Sequence, residues 1–383
     1  MSPRSKRLLR LKPQKERKNL EKRDKSQKGR KDERPHANGH EAFWSESELR
    51  VELYTEKEAF LPLREEWNRL LVGSPSDTIF LTWEWQSLWW EFFGRGHRLL
   101  LLTARQEKEL VGIAPLFYAD EGMTLRLVGG TEISDYLDII ALSGHEREVW
   151  SAFLAHLLEE CSWDTLDLHN LPAASPTREV LLSLKDEYGL KVEVSLEDVC
   201  PLISLPERWE GYLQMLDKKE RHELRRKIRK AEREAQIDWY LVSEEADLAS
   251  EMEKFLDLHQ RSSPHKEQFM DQTMQCFFKT IAKSTFEAGW LRLGFILING
   301  LEMATLLCFN YADSILLYNS GYDPERYRAL SPGVLATAYC IEDAIQKKKK
   351  VFDFLRGSEE YKYRFGARDT EIYRLVVTRG RSR

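Results

Sequence analysis

Val351-Phe352-Asp353-Phe354-Leu355-Arg356-Gly357-Ser358-Glu359-Glu360-Tyr361-Lys362-Tyr363-Arg364-Phe365-Gly366 is the densest stretch of the chain in residues able to do chemistry. Period-two alternation predicts a strand over 351–355, with Val351, Asp353 and Leu355 on one face and Phe352 and Phe354 on the other. An acid in a half-apolar strand needs a partner. Two readings stand side by side: a structural Asp353 paired with Arg356 or Lys362, or a reactive carboxyl. Gly357 allows a sharp turn, after which Tyr361, Lys362 and Arg364 crowd one short segment.

Working outward, Pro332 to Gln346 has the spacing of a helix. Arg328-Ala329-Leu330-Ser331-Pro332-Gly333 leads into it. Backbone N–H groups at a helix start, with small residues that allow close approach, suit a phosphate or pyrophosphate. Pro332 fits the first helical position because its missing donor is not needed there. A plain helix cap is the alternative. Further upstream, 291–298, 302–311 and 314–320 read as a strand meander with Asn299-Gly300 as a turn. Before it come a strand at 237–242 and helices at 247–260 and 268–288. Leu258-His259-Gln260-Arg261 ends the first of these helices, where His259 and Arg261 either face a site or answer the helix C-terminus.

The same order occurs about 180 residues earlier. A strand at 51–54 precedes helices at 60–71 and 82–93, the second with Thr82 as N-cap. Strands follow at 98–104, 110–118 and 125–128, with Asp120-Glu121-Gly122 as a turn, then a strand at 136–142, a helix at 146–160 and a strand at 165–168. Two copies of one pattern favour two related α/β domains joined near Leu205. Between them, 217–235 carries nine Lys and Arg against five acids, with a thin apolar stripe of Leu224, Ile228, Ala231 and Ala235. It is either a phosphate- or polyanion-binding helix or a solvated helix laced with i, i+4 pairs.

Composition bounds the rest. The chain has 383 residues, 32% charged and 42% hydrophobic, ample for two cores. No uncharged apolar run reaches the roughly 18 residues of a membrane-spanning helix. Five scattered Cys without a C-x-x-C pair point to a reducing, cytoplasmic setting rather than a disulfide framework or zinc ribbon. The net charge of −5 combines a tail, residues 1–40, with 15 Lys and Arg against 5 acids, and a body with 43 against 58. The tail is too polar to bury a core and is expected to be disordered. It either touches a polyanion or merely aids solubility. No H-E-x-x-H, Walker loop, G-x-G-x-x-G or G-x-S-x-G occurs, so metal, kinase and hydrolase readings lack support and no metal site is expected.

On these residues the chain resembles the GNAT superfamily, specifically the double-domain CelD/BcsL-like acetyltransferases related to the Fem aminoacyl transferases. The resemblance runs through the basic 218–233 helix, Leu258-His259-Gln260-Arg261, Gly289-Trp290-Leu291-Arg292-Leu293, Gly321-Tyr322-Asp323-Pro324, Ser331-Pro332-Gly333 and Phe352-Asp353-Phe354-Leu355-Arg356-Gly357 with Tyr361-Lys362. Ser134-Asp135-Tyr136-Leu137-Asp138 looks like the matching motif of the first half. It implies an α/β (α+β) fold of tandem GNAT units, with mixed, mostly antiparallel sheets flanked by helices. The units would span 44–205 (acceptor side, degenerate) and 206–383 (donor site), after a tail at 1–43.

It also implies an acetyl-CoA or other acyl-CoA donor and an amine or hydroxyl acceptor, a small molecule or glycan precursor. The family's donor loop, [Arg/Gln]-x-x-Gly-x-[Gly/Ala], is matched by Arg328, Ser331 and Gly333, with Ser331 in place of the middle Gly. Under the resemblance Asp353 is the base or orients the acceptor, Tyr361 is the acid, and Lys362 and Arg356 stabilise anionic charge, Arg356 on the donor. Asp135, Tyr136, His259 and Arg261 contact the acceptor. An aminoacyl-tRNA donor, as in Fem enzymes, and a non-catalytic binding module with a decayed donor loop are the other readings.

Overall fold

The computed structural model describes residues 49–119 and 123–380. The expected disordered tail and the 120–122 turn lie outside them. The first half runs β1 (Arg50–Tyr54), α1 (Phe60–Val72), α2 (Trp83–Phe93), β2 (Arg98–Gln106), β3 (Glu109–Tyr118), β4 (Thr124–Leu127), β5 (Ile140–Ala141), α3 (Glu146–Glu160), β6 (Thr165–Pro172), α4 (Thr177–Leu184) and β7 (Leu190–Ser204). After α5 (Trp209–Met215) and α6 (Lys218–Glu234) the order returns. It runs β8 (Ile237–Leu241), α7 (Glu245–Arg261), α8 (Pro264–Phe269), α9 (Gln272–Glu287), β9 (Leu291–Ile298), β10 (Leu301–Tyr311), β11 (Ser314–Tyr322), α10 (Pro332–Gln346), β12 (Val351–Asp353), α11 (Glu360–Arg364) and β13 (Arg368–Arg379).

Both halves join one sheet, ordered β1-β2-β3-β4-β6-β13-β7-β12-β11-β10-β9-β8, with β5 beside β3. The expected separate sheets are thus fused, because the halves exchange their last strands. β13 lies between β6 and β7, and β7 lies beside β12. Among the described residues the parallel pairs are β4–β6 and β11–β12, one in each half. Each is short, two and three residues, before the strands diverge. In the second half the divergence has a visible cause. A bulge in β11 around Tyr318 breaks its register with β10 just beyond Leu316, the last residue paired with β12. A bulge bends its strand, and beyond Leu316 and Asp353 the two strands are no longer paired, which leaves a gap in the ladder.

The halves are also joined by an aromatic core. Trp85 of α2 is fully buried and meets Phe277 of α9, Phe309 of β10 and Tyr318 of β11 edge-on, at ring distances of 5.9, 5.7 and 5.4 Å. Thr82 caps α2 by accepting from the Trp85 N–H, as its sequence position predicts.

Three local expectations differ from the structure, and one strand was not expected at all. The 136–142 strand is paired over Ile140–Ala141, because the preceding residues leave the sheet to reach the second half. The 268–288 helix is broken into α8 and α9, with Asp271 capping α9 through the Met274 N–H. The 351–355 strand ends at Asp353, since Leu355 takes φ +58°. β7 went unpredicted; Val194 and Leu196 in its middle are 38% and 56% exposed, so no buried stripe marks it.

Candidate active site

The loop from Gly129 to Ile139 carries the first half's contribution. Its anchor is Asp138, buried, whose carboxylate accepts from the hydroxyls of Ser76 (2.8 Å), Ser175 (2.5 Å) and Thr177 (2.5 Å) and from the Ile139 N–H (2.8 Å). Asn170, itself at φ +56°, donates from Nδ2 to the carbonyls of Ser134 and Thr131 and fixes the other side. Held this way, the loop crosses to the second half. Tyr136 donates its hydroxyl to Asp353 Oδ2 at 2.8 Å, Asp135 lies 3.4 Å from Arg356 Nε, and the Ile133 carbonyl accepts from Tyr318 Oη at 2.9 Å. Four of the residues singled out in the sequence, Asp135, Tyr136, Asp353 and Arg356, therefore meet at one point beside the β11–β12 gap.

Asp353 does not pair with Arg356 or Lys362, the structural alternative weighed from spacing. Arg356 turns to Asp135 and to Asn170 Oδ1 at 3.3 Å. Asp353 accepts one bond on each oxygen, from the Leu355 N–H at 2.7 Å and from Tyr136. Burial pushes its carboxyl up to about 6, against those two bonds and the charge of Lys362, which is not bonded to it. Burial likewise raises Asp135 to about 6, opposed by Arg356 and reinforced by the charge of Asp353. Such a carboxyl takes and releases a proton near neutral pH.

The duplication supplies an internal control. Each parallel ladder begins at the first residue of its second strand, so Asp167 in β6 and Asp353 in β12 occupy equivalent third positions. Both are buried. Asp167, however, is bonded by His169 (2.9 Å), Arg374 (2.7 Å) and Arg126 (3.0 Å). Burial alone would raise it, but His169 and Arg374 outweigh burial and hold it far below the usual carboxylate range. The same strand position carries a neutralised acid in one half and a poised one in the other.

Lys362 is buried, and its ammonium donates to the carbonyls of Leu355 (3.0 Å), Arg356 (2.8 Å) and Gly357 (2.9 Å) and meets Glu359 at 2.8 Å. It clamps the turn behind Asp353 with its donors engaged by these partners. Tyr361 is 40% exposed and meets Phe354 edge-on at 6.0 Å, on the face of β12 opposite Asp353. His259 and Arg261 do not join the carboxylate cluster. His259 is buried behind β11, where its Nε2 bonds Asn319 Oδ1 (3.0 Å), and burial lowers it to about 4, so its ring is neutral. Gly321 makes that packing possible, since a Cβ there would lie 2.4 Å from the His259 backbone nitrogen. Arg261 binds Asp323 at 2.6 Å, and Asp323 also accepts from the Glu325 and Arg326 N–H groups. This pair holds the turn that enters the 328–333 loop.

That loop keeps the backbone its motif needs. Arg328–Leu330 is one 3-10 turn, Ser331 sits at φ +56° where glycine is favoured, and Pro332 starts α10. A Cβ on Gly333 would meet nothing nearer than Tyr322 at 3.8 Å, so the helix start is open to an approaching group. Arg328 is exposed. The basic α6 lies alongside. Near its start Lys219 acts on Glu360 of α11, and near its end Lys230 donates to the Ala329 carbonyl at 3.0 Å. It therefore runs from the Tyr361 helix to the 328–333 loop and gives that side of the loop a cationic border.

Lys266 went unnoticed in the sequence. Ser263 caps its short helix, and its ammonium donates to the Ser320 carbonyl at 2.5 Å at the edge of the gap; burial pushes it down to about 8. The Ser263-Pro264 start was the available signal, but nothing in the sequence placed Lys266 beside β11.

Residues 218–363 match the family model described as the acetyltransferase (GNAT) domain. The match lies within the second half of the chain. No curated protein matches the sequence. Among solved structures, FemX is similar at TM-score 0.58 and 9% identity over 82% of this chain and 95% of that one. L-PGS from Bacillus licheniformis is similar at 0.51 and 9%, over 83% and 92%. A conserved protein of unknown function from Bacteroides thetaiotaomicron VPI-5482 is similar at 0.52 and 11%, over 86% and 100%. At such identities the likeness is one of fold, and it extends over both halves.

Proposed function

We propose that the protein transfers an acyl group from acyl-CoA, bound by the second half, to an amine or hydroxyl acceptor presented at the Asp135–Tyr136 loop. The observation that carries this reading is the contrast between the twin acids: Asp353 is buried without a bonded cation and raised to about 6, whereas Asp167 is neutralised. The donor's pyrophosphate would lie on the Arg328–Gly333 loop and the start of α10, its phosphates bordered by α6, and its pantetheine arm in the β11–β12 gap. The thioester supplies the activated acyl group. Asp353 takes the acceptor proton as the nucleophile attacks, Tyr136 orients that carboxylate, and Tyr361 on the donor side protonates the leaving thiolate. The resemblance to CelD/BcsL-like proteins favours a glycan or envelope precursor as acceptor. The intact left-handed conformation at Ser331 counts against a decayed loop.

Thiol release from acetyl-CoA across a panel of amino sugars, amines and polyols tests the proposal. kcat/KM is expected to climb as pH rises through about 6, and Asp353→Asn to lower turnover by about 10²–10⁴. Full turnover by Asp353→Asn would remove the base. Transfer from aminoacyl-tRNA with steep salt dependence, and none from acetyl-CoA, would replace the donor.

A further inference from the structure

The first half holds a cavity of about 240 Å³ walled in part by the 129–139 loop. Its walls are mostly apolar: Trp89, Phe93, Phe117, Leu127, Ile133 and Leu137. One end is ionic, with Arg126, Asp167 and His169. This is the neutralised counterpart of the Asp353 site, so the duplication leaves a concave space here without the 328–333 type of loop. A cavity of about 150 Å³ holds benzene; this one admits a ring with a short polar arm.

The charge of the ionic end sets the polarity of that arm. His169 bonds Glu197 through Nδ1 at 2.5 Å and Asp167 through Nε2 at 2.9 Å. Ionised carboxylates are acceptors only, so both ring nitrogens donate and the imidazole is cationic. Arg126 and Arg374 add two more cations on Asp167. Three cations therefore face two carboxylates, Asp167 and Glu197, in this cluster among the described residues. Arg126 reaches Asp167 with Nε and Nη2 and is 42% exposed, leaving part of its guanidinium edge toward the cavity mouth. Glu132 also lines the mouth, but it is exposed and free to turn to solvent.

We propose that this cavity is a second small-molecule site, which takes a compact amphipathic carboxylate: an aryl or branched aliphatic group between the aromatic walls, with its carboxylate on Arg126. Occupancy reaches the proposed active site through one loop. Thr131 and Ile133 line the cavity, and the carbonyl of each is bonded to a residue that borders the carboxylate cluster, Asn170 and Tyr318. The site stands independently of the acyl-transfer proposal.

The test is calorimetric titration of the full chain with phenylacetate, with phenylacetamide as the neutral probe, alongside ¹⁵N-tryptophan indole spectra. Phenylacetate is expected to saturate one site with a dissociation constant of about 1 mM or below, the range for ten non-hydrogen atoms. It should shift the Trp89 indole signal, assigned by Trp89→Phe. Arg126→Gln should weaken binding about tenfold, as should replacing phenylacetate by phenylacetamide, and Leu127→Trp should abolish it by filling the cavity. If Leu127→Trp does not fold, Arg126→Gln at its half-exposed position carries the test. Absence of saturation at about 10 mM, equal binding of phenylacetamide, unchanged binding to Arg126→Gln, or a shift confined to other tryptophans would each overturn the proposal.

Discussion

Replacing Asp353 by Asn should make the protein more stable and less active, and the gain should depend on pH. The carboxyl is buried, and burial raises it from 3.8 to about 6. Between about pH 4 and 6 the folded state therefore holds more protons than the unfolded chain. Stability falls as pH rises through that window and stays lower above it. A rise of about two units at about 1.4 kcal/mol each makes the ionised carboxylate cost about 3 kcal/mol at pH 8. Asn escapes that cost and preserves the local bonds. Its Oδ1 accepts from the Leu355 N–H, and its amide donates to the Tyr136 hydroxyl, which turns to accept. Asp135 carries the same sign and is present in both proteins; losing the repulsion from Asp353 stabilises the variant further. Urea unfolding of both proteins at pH 4 and pH 8 reads the effect. The variant should lead by about 2–3 kcal/mol at pH 8 and by little at pH 4, while turnover falls. An equal lead at both pH values, or none, would refute the claim that Asp353 is an unpaired buried acid.

Three further outcomes follow from the geometry. Ser331→Gly should leave acetyl-CoA affinity intact and folding stability equal or up to about 1 kcal/mol higher, whereas Ser331→Val should lose about 1–2 kcal/mol at its left-handed backbone; thermal melts with acetyl-CoA titration compare them. Gly321→Ala should destabilise by about 1–3 kcal/mol, because its Cβ meets the α7 backbone, which denaturant unfolding will show. Asp138→Ala should lower kcat/KM more than acetyl-CoA affinity, since it releases the Asp135–Tyr136 loop without touching the donor loop; equal losses in both would indicate global damage.

The local period of each half was legible, because strands and helices that bury one face write that face into the sequence. Thr82, Trp85 and the Pro332 start are examples. The exchange of β7 and β13 was not legible: it pairs residues such as Leu190 and Arg379, far apart in the chain, and β7 exposes its middle. The site was half legible. Asp353, Asp135, Tyr136 and Arg356 were picked out from motif and chemistry, yet their pairing depends on the crossing loop, which local pattern marked as a strand. The twin role of Asp167 was hidden, because its neutralisers Arg126 and Arg374 come from other strands.

The stoichiometry of acetyl-CoA binding to the full chain, measured by calorimetry, tests the central claim most directly. One molecule per chain, with weaker binding when Arg328 and Lys230 are replaced by Gln, is the result expected for a donor site confined to the second half. Two molecules per chain, or none, would contradict it.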